Sequence, residues 1–183
     1  KNGLKEIIDI NTKFESYLSP LDKPKLLFLL KESSFSKSIR IKRKLIGFLI
    51  TIPPNSVYNS INYNWFNKKY NSFIYIDRVC ISNEFQRHGL GQYFYDEVKS
   101  NFKKMTKRMV CEVNIFPRNR ISESFHMSYG FKEIGKLPPR RVTSSIISFA
   151  NGNIMFKAFS LKAFLSIISL LIILKKPKYS NSR

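Results

Sequence analysis

Cysteine is nearly absent: Cys80 and Cys111 are the only two in 183 residues. Each sits inside an apolar run that reads as a buried strand, so both are expected to be free thiols. A disulfide framework is thereby excluded, and a reducing cytoplasm fits. With only two histidines, no Cys/His cluster has metal-ligand spacing, and no metal is expected. Glycine is scarce too, seven in all. There is no G-x-G-x-x-G fingerprint and no loop ending in G-K-[ST], so Rossmann and Walker nucleotide sites are excluded. Residues 1–30 lack the basic, apolar, small-residue order of a secretory leader. No internal repeat stands out. No clustered basic-aromatic motif of a nucleic-acid reader occurs, so no nucleic-acid partner is expected.

Acidic residues are the other shortage, 12 against 32 Lys and Arg, for a net charge of +20. The excess is uneven. Residues 136–183 carry nine Lys and Arg and no acid, while residues 1–135 carry 23 bases and 12 acids. Abundant Asn, Lys and Ile are what an AT-biased coding sequence produces, and a positive surface also attracts anionic cofactors. A length of 183 residues with 43% hydrophobic composition suits one core.

The most informative stretch is Gln86-Arg87-His88-Gly89-Leu90-Gly91. Before it, residues 73–81 are dominated by β-branched and aromatic side chains, a strand signature. After it, Leu90, Tyr93, Phe94, Val98 and Phe102 recur at helical spacing. A strand, a glycine-bearing turn and a helix N-terminus make an anion site, because backbone N–H groups converge and the helix dipole adds positive charge. An ordinary tight turn is the bland alternative. A second block changes the balance. Residues 110–115 read as a strand, Pro117-Arg118-Asn119 as a turn, and residues 122–129 as a helix ended by Gly130 before Phe131.

The order Q-x-x-G-x-G, helix, strand, N-x-x-S-x-x-F-H-x-x-x-G-F resembles the GNAT superfamily of acetyl-CoA-dependent N-acetyltransferases. Residues 58–66, Tyr70 and Tyr75-Ile76-Asp77-Arg78 are similar to a bacterial GNAT subgroup of uncertain substrate. The resemblance covers residues 10 to 136. It implies an α/β (α+β) fold: a mixed, mostly antiparallel twisted sheet flanked by helices, with two central strands that splay to admit the pantetheine arm. Residues 1–149 are expected to form this domain. Its first strand, due several residues ahead of residue 4, is missing on this reading.

The resemblance implies direct attack of an amine on acetyl-CoA in a ternary complex. Gln86, Arg87, His88, Gly89, Leu90 and Gly91 would hold the pyrophosphate. Val79, Cys80 and Ile81 would bind pantetheine, with Asn119 and Ser122 beside it. Strand alternation puts Tyr75, Asp77 and Val79 on one face. The resemblance implies that this face is turned to the acceptor, which makes Asp77 the candidate for orienting or deprotonating the amine, or else a structural carboxylate paired with Arg78 or another base. His126 stands where many members carry the tyrosine that protonates the leaving thiolate; the alternative is a helix-face histidine held by a backbone carbonyl. Tyr129 is the substitute acid. His88 reads as an exposed loop residue. Tyr58, Asn62, Trp65, Phe66 and Tyr75 are assigned to the acceptor site, a peptide end or small molecule with apolar character. Packing over the sheet is the other reading of these aromatics.

Local signals elsewhere predict a helix over residues 4–18, with Leu4, Ile7, Ile8, Phe14 and Leu18 inward. A second helix is capped by Asp22 with Pro24 in its first turn. A hairpin over residues 39–41 and 44–52 turns at Arg43, where the subgroup usually has glycine. Residues 55–72 read as a long loop, and residues 142–149 as a last strand. The tail 150–183 holds a mostly apolar stretch, residues 154–174, interrupted by Lys157 and Lys162, and then Lys175-Lys176-Pro177-Lys178. It reads as a membrane anchor or interfacial helix contacting lipid through 154–178, as a helix packed on the domain or a partner, or as a non-native end. Two functions stand: a cytoplasmic N-acetyltransferase, monomeric or homodimeric, and a non-catalytic GNAT-fold module tethered by its tail.

Overall fold

The computed structural model describes residues 2–106, 108–137 and 143–150. Helices α1 (Asn2–Thr12) and α2 (Lys23–Glu32) lead into the hairpin β1 (Phe35–Ile41) and β2 (Lys44–Ile52). Then come α3 (Ile61–Lys69), β3 (Ile74–Ile81), α4 (Leu90–Phe102), β4 (Arg108–Phe116), α5 (Arg120–Tyr129), β5 (Lys132–Leu137) and β6 (Thr143–Ala150). The six strands form one sheet in the order β1-β2-β3-β4-β6-β5. Every pair is antiparallel except β3 with β4. The expected last strand is β6, inserted between β4 and β5. The tail readings concern residues 151–183 and lie outside the described residues. Among the described residues no helix is long and apolar enough to cross a membrane.

Local chemistry explains most boundaries. Asp22 accepts a hydrogen bond from the Lys25 backbone N–H at 2.8 Å, and Pro24 lies in the first turn of α2. Helix α1 stops at Thr12, short of the expected Leu18. From Lys13 onward the chain turns with bonds such as Phe14 N–H to Asn11 O, 2.8 Å. There the Asn11 side chain is drawn inward, donating to Ser19 O at 3.3 Å. The expected loop over 55–72 is also corrected, because it contains α3. Ser60 caps it by accepting from Tyr63 N–H, and Tyr63 and Phe66, three apart, are fully buried.

The β1–β2 turn places Lys42 at φ 46° and Arg43 at φ 70°, the conformation that two-residue hairpins require and glycine adopts without strain. Arg43→Gly is expected to stabilise the fold by about 1 kcal/mol, raising Tm by about 2–4 °C. Thermal unfolding checks this, and an unchanged or lower Tm would contradict it.

Two apolar layers cover the sheet. One face carries Ile10, Leu21, Leu26, Leu29, Tyr63, Phe66, Tyr75 and Val110 under α1, α2 and α3. The other carries Ile74, Ile76, Phe94, Tyr95, Val98, Met109 and Phe131 under α4 and α5. Within α4, Leu90, Phe94, Val98 and Phe102 are buried as expected. Tyr93 is only half-buried, with the Lys37 ammonium 5.0 Å from its ring centre, while Tyr95 takes the core position.

Candidate active site

Strands β3 and β4 pair at only two positions, Ile74↔Met109 and Tyr75↔Val110, and separate beyond them. That opening is the splay the resemblance implies. Beside it, Ile50 of β2 pairs with Arg78 and Thr51 with Ile76, so Asp77 has no partner. A bulge of this kind shifts the alternation of side chains by one residue. Tyr75 and Cys80 consequently face the α1–α3 layer, whereas Val79 and Ile81 face α4. The expectation that Tyr75, Asp77 and Val79 share a face is thus corrected for Val79.

At the α4 end of the splay lies the Gln86–Gly91 turn. The Gln86 side-chain amide donates to Ile81 O at 3.0 Å and Asn83 Oδ1 at 3.1 Å, tying the turn to the end of β3. Arg87 at φ 62° and Gly89 at φ 81° reverse the chain direction. Gly89 caps α4 with no side-chain bond and no acid follows in the first turn. The first N–H groups of the helix therefore face outward with positive partial charge. His88 is a brace and not an exposed residue: it is half-buried, with Nδ1 2.7 Å from Gln86 O. Leu90 belongs to the core. Gly91 serves packing, since a Cβ there would meet the Phe125 ring at 3.1 Å.

Two carboxylates stand two residues past the last β3–β4 pair, Asp77 on β3 and Glu112 on β4. Asp77 is committed to structure. Its Oδ2 accepts from Arg78 Nε at 2.7 Å, and both side chains are about 97% removed from solvent. Arg78 also donates to Asn11 Oδ1 at 2.8 Å and to Ser19 Oγ at 3.1 Å. Tyr58 bonds to the remaining side of Asp77, and burial followed by the Asp77 charge keeps that phenol protonated. The paired-carboxylate alternative for Asp77 is the one its geometry matches.

Glu112 is the residue that sequence reasoning missed. It shares the face of Val110, takes the Tyr75 hydroxyl at 2.5 Å and is bonded by the Asn62 side chain. Burial raises its carboxyl to about 7, the hydrogen bonds pull it partway back, and the Asp77 charge adds to the rise. A carboxyl poised there can accept a proton near neutral pH. The only available signal was Glu112 as a lone acid in the run Val110–Ile115. Its role depends on the splay beside it.

The segment between α1 and α2 spans the same opening. Arg78 of β3 reaches Ser19, and Asn114 of β4 donates from Nδ2 to Tyr17 O at 2.9 Å. Residues 17–19 are therefore tied to both diverging strands.

Several other assignments change. His126 is 3% exposed, with Nε2 accepting from the Tyr95 hydroxyl at 2.7 Å and Nδ1–H donating to Ser122 O at 2.6 Å. Burial lowers its pKa to about 4, so it is neutral at pH 7 with both nitrogens engaged. It fits the carbonyl-held alternative and not a thiolate acid. The Tyr129 hydroxyl donates to Asp96 at 2.8 Å. Asn119 caps α5 by accepting from Ser122 N–H at 3.0 Å, so that oxygen is spent on the helix. Phe66 is core, and Trp65 packs on β5, where a Cβ at Gly135 would lie 3.2 Å from its ring. Of the expected acceptor residues, Tyr58, Asn62 and Tyr75 converge on the carboxylates. Cys80 and Cys111 are buried thiols; burial pushes Cys80 up to about 12, which removes it as a nucleophile.

No family model matches the sequence, and no curated protein matches it. Solved structures do match in fold. The ribosomal-protein-S18-alanine N-acetyltransferase from Escherichia coli aligns over 85% of this chain and 95% of its own, at 16% identity and TM-score 0.57. Arabidopsis thaliana Naa50, in complex with the bisubstrate analogue CoA-Ac-MVNAL, aligns over 82% and 94%, at 11% identity and TM-score 0.62. An acetyltransferase of the GNAT family from Streptococcus pneumoniae aligns over 82% and 95%, at 13% identity and TM-score 0.60. Likeness at this identity shows the fold alone: the chain has the fold of the GNAT acetyltransferases, the mixed and mostly antiparallel sheet that was expected.

Proposed function

We propose that this protein is an acetyl-CoA-dependent N-acetyltransferase acting on the amine of a peptide or small molecule. The observation that carries the reading is Glu112, a carboxyl that accepts from the Tyr75 hydroxyl two residues past the last β3–β4 pair, on a strand whose neighbour leads into the Gln86–Gly91 turn. The donor set fits coenzyme A. Outward N–H groups of α4, with no acid in its first turn, suit a pyrophosphate. Strand β3, unpaired toward β4 beyond Tyr75, suits an extended amide-bearing arm. That Naa50 is solved with a CoA–peptide bisubstrate analogue supports placing both substrates in one such opening.

Bound acetyl-CoA would supply an activated thioester carbonyl. Glu112 would take the proton from the attacking amine, directly or through one water, while Tyr75 and Asn62 hold its carboxyl in place. Asp77 would act on Glu112 through charge, and Arg78 would hold Ser19, in the segment between α1 and α2, over the acceptor.

Calorimetric titration with acetyl-CoA tests the reading. Micromolar affinity, about −8 kcal/mol, supports it. Absence of binding by folded protein overturns it in favour of a non-catalytic module. Gly89→Val is the internal control: a β-branched residue at φ 81° distorts the turn, and affinity is expected to fall at least tenfold. Gly91→Ala should instead cost stability through Phe125 and spare affinity. Equal affinity in Gly89→Val and the parent would remove the turn from the cofactor site.

A further inference from the structure

The charges around Glu112 are arranged for a single ammonium. Its bonding partners, Tyr75 and Asn62, are neutral. Asp77 is already matched by Arg78. Lys25 lies close enough to feel both Arg78 and Asp77, while its ammonium donates to Ser19 Oγ at 3.0 Å and Pro20 O at 3.1 Å. Among the described residues Glu112 is thus left to meet a cation, while Arg78 and Lys25 place positive charge on the Asp77 side of the cluster.

The neighbouring surface is apolar. The Tyr58 ring, bonded through its hydroxyl to Asp77, lies 6.3 Å from Tyr75, 5.5 Å from Tyr63 and 6.4 Å from Phe28. Phe28 on α2 is 37% exposed. Large apolar groups left open beside a polar cluster mark a binding surface. An aromatic wall gains most from an aromatic or bulky aliphatic partner.

We propose that the acceptor is a primary monoamine bearing an aromatic-sized apolar group near its nitrogen, with the ammonium meeting Glu112 and the apolar group lying on Tyr58 and Phe28. This deepens, and rests on, the acetyltransferase reading of the same site. The two fail by different results, since that reading falls on absent acetyl-CoA binding.

The test is calorimetric titration of the full chain, with and without CoA, using phenethylamine, butylamine and putrescine. Phenethylamine is expected to bind at least tenfold more tightly than putrescine and several-fold more tightly than butylamine. Phe28→Ala should erase the margin over butylamine, whereas Tyr58→Phe, which keeps the ring, should retain it. Phe28 is a third exposed, so its variant is expected to fold. Putrescine binding as tightly as phenethylamine, an undiminished margin in Phe28→Ala, or no binding of any amine would each overturn the proposal.

Discussion

Glu112→Gln is expected to lower the acetylation rate at pH 8 by about 10²–10⁴-fold while leaving acetyl-CoA affinity unchanged. Gln keeps the shape and still accepts from Tyr75, but it cannot take a proton. The parent rate should fall as pH drops through about 7, where Glu112 protonates, and the variant should lose that limb. Stability moves the other way. Because folding raises this carboxyl from 4.5 to about 7, its favourable contribution is complete below pH 4.5 and lost as pH rises through 7. At pH 8 the Gln variant is therefore expected to be more stable, by at most about 3 kcal/mol since one side of the group meets solvent. At pH 4 the two should coincide. Denaturant unfolding at both pH values reads this directly. An unchanged rate in the variant would sink Glu112 as the base.

The second large effect concerns the buried pair. Arg78→Met strands Asp77 without its cation in a place that is 3% exposed. Removing one partner of such a pair costs about 3–5 kcal/mol, which for a chain of this length lowers Tm by about 10 °C. It also releases Ser19 and Asn11, so the segment between α1 and α2 loosens as stability falls. The double variant Asp77→Asn/Arg78→Met, which leaves no uncompensated charge, should recover more than half of the loss. Thermal unfolding of these two variants, of Asp77→Asn alone and of the parent forms the cycle. Additive losses would show that the pair does not act as a unit.

Much of the architecture was legible because its causes are local. Asp22 with Pro24 marks a helix start wherever it occurs. Gly130 at φ 110° ends α5, and only a residue tolerating that conformation serves well. The Gln86–Gly91 turn reads from its own glycines and the periodicity that follows. Helix α3 was missed because Asn62, Asn64 and Asn67 weaken its propensity and mask the Tyr63–Phe66 spacing; burial against the α1–α3 layer overrides that weakness.

The site was less legible, for a different reason. Asp77 and Glu112 are both carboxylates on apolar strands, and although Arg78 follows Asp77, neighbours on a regular strand face opposite sides. A bulge against Ile50 and Thr51 hands Asp77 to Arg78, and the separation of β3 from β4 leaves Glu112 with two neutral donors. Likewise His126 carries the pattern of an acid yet lies between Tyr95 and Ser122 once α4 packs on α5. From its own residues the chain determined the helix caps, the glycine-bearing turn before α4 and most of the element order, because caps, turns and periodicity are interactions among residues close in sequence. Which carboxylate is paired, which is poised near neutrality and which histidine is silenced were decided only in three dimensions. Desolvation depends on neighbours brought from strands and helices far along the chain, and the Asp77–Arg78 pair depends on the bulge that β2 imposes on β3.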